Sequence, residues 1–289
     1  MNAIKIDHRI CFIAGLLFFL QACSGGRDTG KVITVSILPQ QYFVQKITGN
    51  KFEVEVLIPP GASPATYDPS PRQLARLGES LVYFRIGYIE FERTWFDESN
   101  IETGDLSIID VSEGIDLLYE GKHGGHAGGH VDPHIWMSPA NVRIIAGNIA
   151  EFMAEADPAN HRYYMDNLDQ FKKELEQLDK EISSKLDNLQ NRKFFIYHPA
   201  LTYFAEDYGL EQIALEHEGK EPSPAYLKKL IDLSGIESVP VIFIQKQFER
   251  EKAITLANET GARIIRFDPL DENWMEQMRH IGSSLAKTR

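Results

Sequence analysis

The chain has 289 residues, 43% of them hydrophobic and 25% charged, with 30 basic against 42 acidic side chains and a formal net charge of −12. That length suits one large domain or two modest ones with a packed core. The acidic balance argues against a nucleic-acid role, which needs a basic face, and suits the attraction of cations. The two cysteines, Cys11 and Cys23, exclude a disulfide framework and a multi-cysteine zinc site.

In chain order, Lys5 and Arg9 precede an apolar run from Ile10 to Leu20. The run is too short for the roughly 20 residues of a spanning helix, and it has the size of a signal-peptide core. Leu20-Gln21-Ala22-Cys23 resembles the lipobox of bacterial lipoproteins, which implies loss of residues 1–22 and acylation of Cys23. Without that leader the net charge becomes −13, because Lys5, Arg9 and Asp7 leave with it. The expected product is extracytoplasmic and lipid-anchored to a bacterial membrane, with residues 23–31 as a polar tether.

Strand-like and helix-like segments then alternate. Strands are predicted at 32–37, 52–58, 80–85 and 106–111, and helices at 39–49, 71–77 and 91–98. A second set follows, with strands at 193–197, 210–215, 241–245 and 263–267 and helices at 199–208, 224–234, 249–260 and 271–286. Strand and helix taking turns is the βαβ pattern of a parallel sheet covered by helices. The fold class is therefore α/β, with two similar four-stranded lobes over 32–157 and 191–289. Between them, apolar residues recur at Met165, Leu168, Phe171, Leu175, Leu178, Ile182, Leu186 and Leu189. This three- and four-residue spacing describes one long amphipathic helix within 158–190. It is read as packing inside one chain, as a stiff connector of a monomer, rather than as a dimeric coiled coil.

Ligand-capable side chains fall beside the predicted strand ends, where open α/β sheets bind ligands. They are His134 in Asp132-Pro133-His134-Ile135-Trp136, His198 before Pro199, and Asp268 before Pro269. Two imidazoles and a carboxylate suit zinc, and with more oxygen ligands manganese or iron. A second signal is the glycine-rich loop 121–130 with His123, His126 and His130, a weak auxiliary metal tract. His161 and His280 lie in polar helical stretches and read as solvated. Trp136 and Trp274 read as core fillers.

These segments, together with Val56 to Pro64, Tyr67-Asp68-Pro69, Glu221 to Pro224 and Phe267 to Leu270, resemble the solute-binding proteins of bacterial ABC importers for zinc and manganese. The resemblance implies metal-ligand roles for His134, His198 and Asp268, a cleft between lobes joined by a rigid helix, and delivery to an ABC permease. A histidine at position 198 resembles the zinc members. One position departs from the pattern: the run Pro64-Ala65-Thr66-Tyr67-Asp68-Pro69 carries alanine where the family has a first histidine ligand. Three family ligands remain, and water, the His-rich loop, Asp68, Glu216 or Glu218 could complete the set.

An incomplete set on zinc also raises the alternative of a zinc-dependent hydrolase. Against it, His217-Glu218-Gly219-Lys220-Glu221 lacks the second histidine of His-Glu-x-x-His, and no Gly-x-Ser-x-Gly elbow or phosphate loop occurs. A surface adhesin or passive metal buffer is the other alternative.

Overall fold

The computed structural model describes residues 32–64, 66–98, 106–119, 130–216, 220–245 and 251–287. Strands β1 (Val32–Val35), β2 (Glu53–Val56), β3 (Val82–Arg85) and β4 (Ser107–Asp110) form one parallel sheet in the order β2-β1-β3-β4. Strands β5 (Lys193–Ile196), β6 (Glu211–Ala214), β7 (Val241–Gln245) and β8 (Arg263–Phe267) form a second in the order β6-β5-β7-β8. The two orders are the same. In each, the first and third strands of the set lie side by side at the centre, and the order in which the chain adds its parallel strands reverses there.

The register makes the correspondence exact residue by residue. Val35 pairs with Val56 and Phe84, as Ile196 pairs with Ala214 and Phe243. The central strands are β-branched and aromatic, and β1, β3, β5 and β7 are almost wholly buried, as expected of parallel strands covered on both faces.

The connector is a single 3-10 turn, Pro158–Asn160, running into a helix His161–Leu186. It buries Tyr164, Leu168, Phe171, Leu175, Leu178, Ile182 and Leu186, while Met165 is only half-buried. Burying a Leu or Phe side chain stabilises by about 1.5–3 kcal/mol, so this stripe is a major hydrophobic seam. It packs against helices Leu38–Thr48 and Pro139–Ala156 of the first lobe and Trp274–Ala286 of the second. Gly282 lets the last of these close in, since a β-carbon there would come within 3.1 Å of Ile182. One continuous apolar core therefore runs from β1 through the long helix to Phe243, Phe267 and Trp274. The long helix is less a strut across a gap than the common wall of both lobes.

Two local features differ from the sequence reading. The helix Pro139–Ala156 is missing from it, although Ser138 caps the Asn141 N–H, Pro139 starts the first turn, and Val142, Ile145, Ala146, Ile149 and Met153 form a buried stripe. The segment expected as a helix over 91–98 is a short α-turn Glu90–Glu92 followed by a π-wound stretch Arg93–Glu98. There Glu92 turns inward, and its carboxylate accepts hydrogen bonds from the N–H groups of Ile86 (3.0 Å) and Gly87 (2.6 Å).

Candidate metal centre

His198 sits two residues beyond β5, at the centre of the second sheet. Its position is set by Gln245, the last residue of β7. The Gln245 amide donates to the His198 carbonyl at 2.7 Å and accepts from the His198 N–H at 3.4 Å. On the other side, Glu216 follows β6 and places a carboxylate oxygen 3.0 Å from His198 Nδ1. His134 comes from the first lobe, at the start of the 3-10 turn Ile135–Met137. Its Nδ1 lies 2.7 Å from Asp132 Oδ1, which also accepts the His134 backbone N–H at 2.8 Å.

The two imidazoles face one another with centroids 5.3 Å apart at 69°. Each has a carboxylate at Nδ1. A carboxylate there holds the ring proton at Nδ1 and leaves the lone pair on Nε2, the usual arrangement behind a coordinating histidine. Burial alone would raise the Asp132 carboxyl, but the adjoining His134 ring and the hydrogen bonds it receives outweigh this and hold it below its ordinary value. Asp132 is thus kept ionised where it is needed to orient the ring.

Asp268 follows β8 and is half-buried, its carboxylate accepting the Leu270 N–H at 3.0 Å. Its neighbour Pro269 accepts the indole N–H of Trp136 at 2.7 Å, and Trp274 in turn donates to the Trp136 carbonyl at 2.8 Å. Both tryptophans are buried, as core fillers should be. Their polar tips also lace the His134 turn to the Asp268 turn across the lobes.

The fold therefore brings His134 and His198 together. Among the described residues, no three His, Cys, Asp or Glu side chains form a group that could hold an ion, so Asp268 is not gathered with the two histidines into such a set. His130 is exposed at the foot of its loop, and His161 and His280 are exposed on helices. His123, His126, Cys23, Ala65 and Glu218 lie outside the described residues. Of the side chains considered for completing the set, Asp68 accepts the Trp95 indole N–H at 2.8 Å, and Glu216 stands behind His198.

Sequence reasoning misses the orienting role: it takes Glu216 only as a possible extra ligand and Asp132 only as part of the His134 motif. Asp132 carries a local signal, a carboxylate two positions before a histidine with proline between them. Glu216 carries none, because only the pairing of β5 with β6 brings it to His198.

A family model described as zinc-uptake complex component A, periplasmic (ZnuA), matches residues 33–288. A solved ZnuA crystal structure superposes with a TM-score of 0.82 at 39% identity, covering 90% of this chain and 99% of that one. The manganese ABC transporter substrate-binding lipoprotein PsaA of Streptococcus mitis is 30% identical over 278 residues, 90% of this chain and 88% of that protein. The iron ABC transporter substrate-binding lipoprotein MtsA of Streptococcus pyogenes serotype M1 is 30% identical over 268 residues, 86% of this chain and 84% of that protein.

Proposed function

Because the chain belongs to the ZnuA family of metal ABC-transporter substrate-binding proteins, which carry cargo to a permease and are not enzymes, we propose that it captures zinc between its lobes for delivery to an ABC permease. Nε2 of His134 and Nε2 of His198 take the ion from opposite lobes, and Asp268 supplies an oxygen ligand from the turn after β8. The chain works as a monomer outside the cytoplasm, anchored through an acylated Cys23 after loss of residues 1–22. No described helix is long and apolar enough to cross a membrane.

The observation that carries this reading is the facing pair of imidazoles, each backed by its own carboxylate. Relatives named for zinc, manganese and iron transport are 28%, 30% and 30% identical to this chain. The choice of zinc rests on ligand chemistry: imidazole nitrogens suit zinc, whereas manganese prefers a site richer in oxygen. With alanine at 65, the set lacks the family's first histidine, so binding is weaker and exchange faster than with four protein ligands.

The test is elemental analysis of protein purified without added metal, followed by competition titration of zinc, manganese and iron(II). Zinc is expected at about one equivalent. His134→Ala and His198→Ala should each weaken zinc by more than the roughly 10- to 100-fold that loss of an outer-shell partner costs. Retention of zinc affinity by both variants would overturn the assignment.

A further inference from the structure

Leu118 and Asp132 face each other across the stem of the His-rich loop, next to the antiparallel bridge between Tyr119 and Val131. In a hydrogen-bonded antiparallel pair, the two residues exchange both N–H···O bonds. Here only one is direct: the Asp132 N–H donates to the Leu118 carbonyl at 2.9 Å. The reciprocal bond is interrupted by a side chain from the other lobe. The Leu118 N–H donates to the Tyr203 hydroxyl oxygen at 3.1 Å, and that hydroxyl donates to the Asp132 carbonyl at 3.0 Å. Tyr203 is buried in the second-lobe helix Thr202–Asp207 and completes a rung of a first-lobe stem.

The Asp132 carboxylate itself is engaged only by His134: Oδ1 accepts the His134 backbone N–H and lies against its Nδ1, while Oδ2 is buried with no hydrogen-bond partner among the described residues. What the second lobe holds is the Asp132 backbone, through Tyr203. Asp132 in turn sets the ring of His134.

We propose that Tyr203 is a positioning residue that orients His134 from the second lobe, so that the first-lobe ligand is correctly presented only while the two lobes are seated against each other. A shift of the lobes withdraws the hydroxyl from the Leu118–Asp132 rung, frees Asp132 to move, and lowers the hold on the ion. This ties release to lobe displacement through one short chain of hydrogen bonds. The inference rests on His134 being a metal ligand.

The experiment compares Tyr203→Phe and His134→Ala with the parent chain. Tyr208→Phe serves as a control, since it removes a tyrosine hydroxyl whose partner is Asp179 and not Asp132. Zinc release is timed by stopped-flow mixing with a chelator, and the imidazole tautomer of His134 in the metal-free protein is read from nitrogen NMR shifts. Tyr203→Phe is expected to speed release by about tenfold, the low end of what outer-shell losses cost, and to mix the His134 tautomers. Tyr208→Phe should do neither.

If the His134 tautomer stays fixed at Nδ1–H in Tyr203→Phe, the positioning role is overturned, even where thermal stability falls. If His134→Ala leaves release unchanged, the ligand reading fails first, and the two failures are told apart by that variant.

Discussion

The two lobes place different chemistry at the same four points of the same fold. The ladder and the backbone bonds beyond it equate Ile37 with His198, Ile58 with Glu216, Ile86 with Gln245 and Ser112 with Asp268. In the first lobe three of these strand ends are buried isoleucines. In the second they are an imidazole, its carboxylate, the amide that clamps it, and a second carboxylate. Open parallel sheets offer a binding crevice at this point, and only the second lobe uses its own strand ends to fill it. The first lobe closes its crevice and brings its histidine in on a later loop, at His134. Two lobes with one topology are thus divided into a lobe that builds the site directly and a lobe that reaches over to it.

The sharpest way to break this comparison is to truncate equivalent positions. His198→Ala should remove more than the roughly 10- to 100-fold of zinc affinity that an outer-shell loss costs, and leave thermal unfolding of the metal-free protein nearly unchanged. Ile37→Ala should do the opposite, destabilising by about 2–5 kcal/mol as a core truncation while zinc affinity of the folded fraction holds. Calorimetric unfolding and competition titration on both variants test the exchange of roles. If Ile37→Ala weakens zinc as much as His198→Ala does, the first-lobe crevice is not the closed one.

The first-lobe crevice is sealed by a carboxylate, and that gives it a pH signature. Glu92 is fully buried, and this burial pushes its carboxyl up to about 7 against hydrogen bonds from the Ser36 hydroxyl and the Ile86 and Gly87 N–H groups that favour the ionised form. Between the ordinary value of 4.5 and about 7, the folded chain holds a proton that the unfolded chain has released. Stability is therefore highest below that window and falls as pH rises through it, by about 3 kcal/mol in all. Metal binding by the proposed histidine ligands should run the other way, because protons compete for imidazole nitrogens. Denaturant titrations of metal-free protein from pH 4.5 to 8 check the sign, and the slope should flatten in Glu92→Gln. A slope that persists unchanged in that variant would assign the effect to other groups.

A smaller effect belongs to Glu216. It is the polar replacement for Ile58, and Glu216→Gln keeps its shape while removing the charge that holds the His198 proton at Nδ1. Zinc affinity should fall by about 10- to 100-fold, with little change in unfolding temperature. Asp132→Asn should match it from the other lobe. Isothermal titration of each, and of the pair together, shows whether the two carboxylates act independently.

Much of this division is legible in the sequence, and the limit has a physical form. The strands and the long helix announce themselves through periodicity, so His198 and Asp268 could be placed at strand ends before any coordinates. Helix Pro139–Ala156 also carried its cap and its proline. What the sequence does not expose are contacts made by hydrogen bonds between distant segments. Glu216 lies 18 residues from His198 and Tyr203 lies 71 from Asp132, and both pairings exist only once sheets and lobes have formed. The same holds for Trp136 and Trp274, whose bulk reads as core while their N–H partners are remote carbonyls.

The least expected gain, and the finest test of the comparison, lies at position 65. If the first lobe only reaches over to the ion, its contribution depends on loops, and loops can gain or lose a ligand without disturbing the sheet. The family resemblance puts a histidine where this chain has Ala65, on the run between Pro64 and Pro69. Ala65→His should then add a nitrogen ligand and tighten zinc by about tenfold, ~1.4 kcal/mol. The sheet keeps its isoleucines, so unfolding of the metal-free variant should match the parent. Tighter zinc with unchanged metal-free stability supports a first lobe whose ligands are loop-borne and separable from its core. An unchanged affinity would mean that the first lobe meets the ion through His134 alone, and that the second lobe's strand ends hold more of the site than the family pattern implies.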